Sequence, residues 1–308
     1  MKVIIIGYGI QGRKRQFSLK KKEFICSVDP YSKKAKYKDI KEVPSNLYDT
    51  VFICTPDKEK VKIIEFCIKN KKNCLIEKPF PICSQKKIKY LEKLSNKNKL
   101  VFYVAYNHRF EPHIIKIRDC LKSKKLGRIF SCKLFYGNGT SKLVKRSKWK
   151  DKGLGVVVDL STHLLDMCNY WFGLKKKIFS NISVDKFENK SPDNALMYEK
   201  INNIKFQLEV TYCMWKNDFF CDIIAEKGSV HMSSLCKWDK TILKIRTRRL
   251  PSGRPHEKNI SINSKDITWN SELIHFRKLI KFKKNNNLTK DIWINNNLIN
   301  FKKILKVK

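Results

Sequence analysis

Three groups of residues in this chain have types and spacings suited to chemistry. The first is Gly7-Tyr8-Gly9-Ile10-Gln11-Gly12, which follows the apolar β-branched run Val3-Ile4-Ile5-Ile6. A strand, then G-x-G-x-x-G, then a helix builds a cradle for pyrophosphate. The first glycine permits the tight turn, the second lets backbone approach phosphate, and the third lets the helix pack on the strand. The helix N-terminus adds free N–H groups and a partial positive charge. The second group is Glu77-Lys78-Pro79, and the third is Asp159-Leu-Ser-Thr-His163-Leu-Leu-Asp166. On a helix, positions 159, 163 and 166 share one face, so Asp159 can stand beside His163. A neighbouring carboxylate holds an imidazole and raises its affinity for a proton.

The elements that must position these groups follow from hydrophobic patterning. Strands are expected over 2–6, 23–29, 49–54, 74–76 and 100–105, with helices over 10–21, 58–69 and 84–96. Strands alternating with helices imply a doubly wound parallel sheet with helices on both faces. Ligands of such sheets lie outside the carboxyl ends of the strands. That rim receives 7–12, then Asp29, Thr55-Pro56, Glu77-Lys78-Pro79, and finally Tyr106-Asn107-His108-Arg109. Asp29 lies seventeen positions after Gly12, close to the spacing of an acid that binds ribose hydroxyls. A carboxylate there repels a 2′-phosphate and favours NAD. Lys33 and Lys34 follow closely and keep NADP as the alternative.

Beyond residue 112 the pattern changes to α+β, which divides the chain into 1–112, a dinucleotide-binding domain, and 113–308, a domain for substrate and oligomerisation. A helix over 113–121 leads to a long strand over 128–136, a Lys- and Ser-rich loop and an apolar helix over 156–171. Strands over 205–215, 219–225, 228–232 and 241–246 read as a largely antiparallel sheet, closed by helices over 276–282 and 298–305. The Asn tracts 285–287 and 295–297 read as loop ends.

Composition bounds the function. A chain of 308 residues suggests two domains, and 42% apolar residues supply cores for both. No apolar run approaches the length that spans a bilayer, and Val3–Ile6 is too short for a signal-peptide core. The eleven cysteines are scattered singly with no C-x-x-C pair, which argues against a disulfide framework or a metal site and fits a reducing cytoplasm. The net charge of +39 invites a nucleic-acid partner. However, the 67 basic residues are mostly Lys spread along the whole chain, whereas phosphate-binding surfaces cluster their charge and favour Arg. No specific nucleic acid and no membrane is expected as partner. Two local exceptions are the basic segment 141–150 around Trp149 and the group Arg246, Arg248, Arg249 and Arg254. They suggest an anionic substrate such as a sugar nucleotide, sugar phosphate or uronic acid.

Taken together, these motifs resemble the glucose–fructose oxidoreductase/inositol dehydrogenase family (Gfo/Idh/MocA). The likeness rests on G-x-G-x-x-G, Thr55-Pro56, Glu77-Lys78-Pro79, Asn107-His-Arg109-Phe110, Trp149 and the run Gly153-x-Gly155-x-x-x-Asp159-x-x-x-His163-x-x-Asp166, and it thins after about residue 230. The resemblance implies a Rossmann domain followed by an α/β domain with an open antiparallel sheet often used to form homo-oligomers, here a dimer or tetramer. It implies NAD(P)-dependent hydride transfer at a carbinol or carbonyl carbon of a sugar or cyclitol. Lys78, Asp159 and His163 then become the catalytic residues, with His163 as the base and Lys78 on the reacting oxygen. Gly7, Gly9, Ile10, Gln11, Gly12, Asp29, Thr55, Pro56, Glu77, Lys78 and Asn107 would contact the cofactor. Lys78, Arg109, Trp149, Asp159 and His163 would contact the substrate. Two positions depart from the family pattern: Ser161 where Gly is usual, and Lys60 where His often follows T-P-x-x-x. Alternative readings are a biliverdin-reductase-like or dihydrodiol-dehydrogenase-like reductase, or a non-catalytic protein that senses a nucleotide.

Overall fold

A computed structural model describes residues 1–147, 150–284 and 288–307. The chain forms two compact units, Met1–Tyr106 with Trp269–Asn295, and Asn107–Thr268 with Asn296–Lys308.

In the first unit, β1 (Val3–Ile6), β2 (Phe24–Val28), β3 (Thr50–Ile53), β4 (Asn73–Glu77) and β5 (Phe102–Ala105) form one sheet in the order β2-β1-β3-β4-β5. Every pairing is parallel. The helices α1 (Ile10–Ser18), α2 (Asp57–Lys69) and α3 (Gln85–Lys97) make the crossovers. β1 and β3 are buried at every residue, which explains their unbroken apolar runs: a strand covered on both faces has no polar side to alternate with. Ser84 caps α3 by accepting from the Lys87 N–H, and Ile88 and Leu91 point inward, as the spacing predicts. A late segment completes this unit. The helix Thr268–Lys281 brings Phe276 edge-on to Phe52 at 5.9 Å and sets Arg277 against Glu23 at 2.6 Å.

The second unit holds α4 (Pro112–Lys122), β6 (Ile129–Gly137), α5 (Ser141–Lys145), α6 (Val156–Asp159) and α7 (Ser161–Phe172), followed by seven strands. These are β7 (Asn181–Asp185), β8 (Asn194–Ile201), β9 (Ile204–Thr211), β10 (Asp218–Ala225), β11 (Gly228–Ser233), β12 (Thr241–Thr247) and β13 (His256–Ile262). The eight strands form one sheet in the order β13-β12-β11-β10-β6-β9-β8-β7. All pairs are antiparallel except β6 with β9. Along β10, Phe219, Cys221 and Ile223 are buried while the alternate residues are only partly covered or exposed, the pattern of a sheet packed on one face.

Several local expectations are corrected. The helix over 156–171 is two helices, because Leu160 interrupts them. Asn295–Asn297 is not a loop end but lies within the helix Ile292–Ile304. There the amides bond backbone: Asn295 donates to the Pro81 carbonyl at 2.9 Å, and Asn297 accepts from the Phe179 N–H at 2.9 Å. The tract 285–287 lies outside the described residues. Part of the Lys-rich loop is the short helix α5. Among the described residues, no helix is long and apolar enough to cross a membrane.

Candidate active site

The first unit builds its site on the ends of β1 to β4. Gly7 adopts φ +87°, and a Cβ there would meet the Cys54 carbonyl carbon at 2.6 Å. At Gly12 a Cβ would meet the Gly7 oxygen at 2.1 Å, so helix and turn touch as backbone. At Gly9 a Cβ would meet nothing within 4 Å. The glycine that should let phosphate approach therefore faces open space, whereas the other two are fixed by packing. Gly9 is the N-cap of α1 and gives no side-chain cap, and no acid lies in the first turn. The leading N–H groups of the helix, including those of Ile10 and Gln11, are thus presented to an anion.

Asp29 follows β2 directly. Its Oδ2 accepts from the Tyr8 N–H at 2.7 Å, and its Oδ1 accepts from the N–H groups of Tyr31 at 2.8 Å and Ser32 at 3.0 Å. A carboxylate has about four acceptor positions, and these three N–H groups occupy three of them. Thr55 follows β3, and among the described residues its buried Oγ1 has no hydrogen-bond partner. Such an orphaned hydroxyl beside an open cradle is what a nucleotide would satisfy, and the residues fit NAD. Pro56 is exposed at the start of α2.

Glu77 ends β4, and the half-buried Lys78 follows it. Their surroundings were not legible as a site. The Glu77 carboxylate accepts from Arg15 Nε at 2.5 Å. Arg15, 2% exposed, also pairs with Glu272 at 2.7 Å and lies against the Trp269 ring at 4.3 Å. Burial works against the guanidinium charge, but Glu77 and Glu272 overcome it and hold Arg15 ionised. Burial, opposed by Arg15 and reinforced by Glu77, pushes the Glu272 carboxyl up to about 7. Lys60 is equally hidden. Its Nζ donates to Asp57 Oδ1 at 2.7 Å, to the Glu77 carbonyl at 2.6 Å and to the Pro79 carbonyl at 2.9 Å.

The second unit holds the remaining residues. Gly155 adopts φ +50° beside the Pro192 carbonyl, where a Cβ would come within 2.2 Å, and this contact sets the start of α6. Asp159 ends α6 and accepts from Tyr212 Oη at 3.1 Å. Tyr212 is buried, and burial together with Asp159 drives its phenol well above the ordinary value, so it stays a neutral donor. His163 lies in the first turn of α7 at 8% exposure. Its ring packs on His108 at 4.3 Å and on Tyr136 at 5.8 Å, and Tyr136 Oη accepts from Lys237 Nζ at 2.7 Å. Arg109 grips Asp166 through Nε, at 3.0 and 2.9 Å, and through Nη2. Asp166 is fully buried, which raises its carboxyl despite the opposing charge of Arg109. Asn107, expected at the cofactor, donates to Thr268 Oγ1 at 2.8 Å. Trp149 lies outside the described residues. Of the arginine group, Arg246 pairs with Glu257 at 2.6 Å and Arg248 donates to the Glu226 carbonyl at 3.3 Å.

The first unit thus holds a glycine cradle with Asp29 bonded to it, and the second holds a buried imidazole and a carboxylate tethered by Tyr212. Residues 1–106 match the model of an oxidoreductase family, NAD-binding Rossmann fold, and residues 118–283 match the C-terminal alpha/beta domain of the same family. The chain belongs to the Gfo/Idh/MocA oxidoreductase family. It is similar to inositol 2-dehydrogenase of Rhizobium meliloti, with 24% identity over 41% of this chain and 37% of that one. The chain spans under two fifths of the length of the first curated relatives it matches. Its fold is shared with levoglucosan dehydrogenase in complex with NADH and L-sorbose, at TM-score 0.80 and 16% identity over 97% of this chain and 95% of that one. It is also shared with UDP-N-acetylglucosamine 3-dehydrogenase from Acidithiobacillus ferrooxidans, at TM-score 0.76 and 15% identity over 97% and 94%.

Proposed function

We propose that the chain is an NAD-dependent dehydrogenase acting on a CH–OH carbon of a sugar, cyclitol or sugar nucleotide. The observation that carries this reading is the cradle itself: Gly7 and Gly12 are locked by packing, Gly9 is open, and Thr55 Oγ1 waits unpaired beside them. The bound nicotinamide would supply a hydride acceptor, or a donor in the reverse direction. The N–H groups of 10–12 hold the pyrophosphate, and Asp29 accepts from a ribose hydroxyl and disfavours a 2′-phosphate.

Oxidation of an alcohol requires removal of its hydroxyl proton. His163 takes that proton, because an imidazole titrates near neutrality and is a good base there. Tyr212 fixes Asp159, whose second oxygen binds a substrate hydroxyl or the imidazole. Lys78 donates to the reacting oxygen and stabilises the negative charge that develops on it. An anionic substituent on the substrate would find cations in Lys142, Lys145 and Arg146. We place the protein in the cytoplasm, where its eleven free thiols stay reduced, and expect a homo-oligomer built on the sheet of the second unit.

The direct test is to denature the purified protein and identify any released nucleotide. The protein is then screened with sugars, cyclitols and their phosphorylated or nucleotide-linked forms for a change in nicotinamide absorbance at 340 nm. NAD binding with turnover of one such class is expected. Absence of nucleotide binding would overturn the reading.

A further inference from the structure

Lys60 spends all three of its donors on one spot. A buried ammonium is costly to desolvate, and an apolar side chain would serve packing alone at least as well. What distinguishes this lysine is where its hydrogen bonds go. Two of them reach the carbonyls of Glu77 and Pro79, which flank Lys78, at 2.6 and 2.9 Å, and the third, to Asp57 at 2.7 Å, ties the ammonium to the start of α2. Glu77 is gripped a second time through its carboxylate by Arg15. The backbone on either side of Lys78 is therefore pinned to a single buried point at 1% exposure, and the residue before it is held by main chain and side chain alike.

From this geometry we infer that Lys60 is the positioning residue for Lys78. It fixes the direction in which the Lys78 side chain leaves the rim. A flexible four-carbon stem has many rotamers, so a rigid base for it narrows the volume its ammonium explores. The inference rests on the reading of Lys78 as the lysine that donates to the reacting oxygen. It also accounts for Lys at a position where the family pattern often has His: a longer side chain with three donors reaches two carbonyls and a carboxylate at once.

The test compares Lys60→Met, Lys60→Arg and Lys78→Met with the unaltered protein. Readouts are NADH affinity by fluorescence, thermal denaturation, and kcat and KM with the substrate found in the screen. Misplacing a reacting group by about 1 Å can cost roughly 100-fold. Lys60→Met should therefore lower kcat by at least about 10-fold, with KM changed less than about 3-fold and NADH affinity kept within about 2-fold. Lys60→Arg should recover a substantial part of kcat. Undiminished kcat in Lys60→Met, or equal losses in kcat, KM and NADH affinity, overturns the inference. Undiminished kcat in Lys78→Met overturns the Lys78 reading and the inference with it. Loss in Lys78→Met alone overturns only the role of Lys60. Should Lys60→Met fail to fold, Asp57→Ala decides. It removes one anchor at a partly exposed carboxylate and should lower kcat by about 2- to 5-fold at unchanged KM, while wild-type kcat there counts against the inference.

Discussion

Tyr212 Oη donates to Asp159 Oδ2 across 3.1 Å, joining the segment after β9 to the last residue of α6. The phenol is nearly sealed from solvent and its ionisation is driven up, so the donor persists across any working pH. Tyr212→Phe removes one hydrogen bond and leaves the ring. Stability should fall by about 1 kcal/mol. Turnover should fall by roughly 10-fold as the carboxylate loses its fixed orientation. Steady-state kinetics beside a melting curve would show whether the two losses separate in this way.

His163→Ala should leave NADH affinity unchanged, since the first unit carries the cradle, and should reduce turnover by about 100-fold or more. Fluorescence titration with NADH and initial rates are sufficient. Turnover within threefold of wild type would remove His163 from the mechanism.

The glycines separate folding from binding. Gly9→Ala adds a methyl group to open space, so the melting temperature should stay put while nucleotide affinity drops. In Gly12→Ala the methyl group would meet the Gly7 oxygen at 2.1 Å, and α1 must lift from the turn. Overpacking of that kind costs about 1–3 kcal/mol, so this variant should melt lower as well as bind less. Equal stability of the two variants would contradict the packing described here.

In the proposed function Asp29 sets the cofactor preference. Asp29→Asn keeps the acceptor for the Tyr8 N–H but removes the charge that opposes a 2′-phosphate. The NADP-to-NAD affinity ratio should rise by about 10-fold, helped by Lys33 and Lys34. Calorimetric titration of both nucleotides checks it.

Glu272 predicts a pH dependence of stability. Its folded value of about 7 lies above the ordinary 4.5, because burial outweighs the help of Arg15. The folded state therefore binds the proton more tightly than the unfolded state. The associated stabilisation is complete below pH 4.5 and disappears as pH rises through about 7. Relative to Glu272→Gln, the wild-type melting temperature should decline between about pH 4.5 and 7, by an amount corresponding to roughly 3 kcal/mol at most. Parallel curves for the two proteins would refute the raised value.

Much of the first unit was legible because its information is local. A β-branched run, three glycines and the helix that follows them lie within eighteen residues, and the strand and the glycines each carry their own physical reason. The strands β10, β11 and β12 were similarly marked by alternation and the Gly228 turn. By contrast β13, His256–Ile262, is mostly polar and exposed, which an edge strand tolerates and which hides it from a hydrophobic pattern. At the candidate site, spacing singled out Asp159 and His163, yet the Asp159 carboxylate is held by Tyr212, fifty-three positions away. Nothing in the sequence marked Arg15, and Lys60 stood out only against the family pattern. Only the fold reveals that they are buried, because charge excess along the whole chain erases any local contrast.

The late segment Trp269–Asn295 has a consequence for how the molecule is made. Phe276 covers Phe52, and Glu272 answers Arg15, so the nucleotide-binding unit remains unfinished until residues 269–295 have left the ribosome. A fragment stopped at residue 112 would expose an aromatic flank and strand a buried cation. Nascent chains must shelter that flank until residues 269–295 emerge, and a chain stopped before them carries an uncovered aromatic surface.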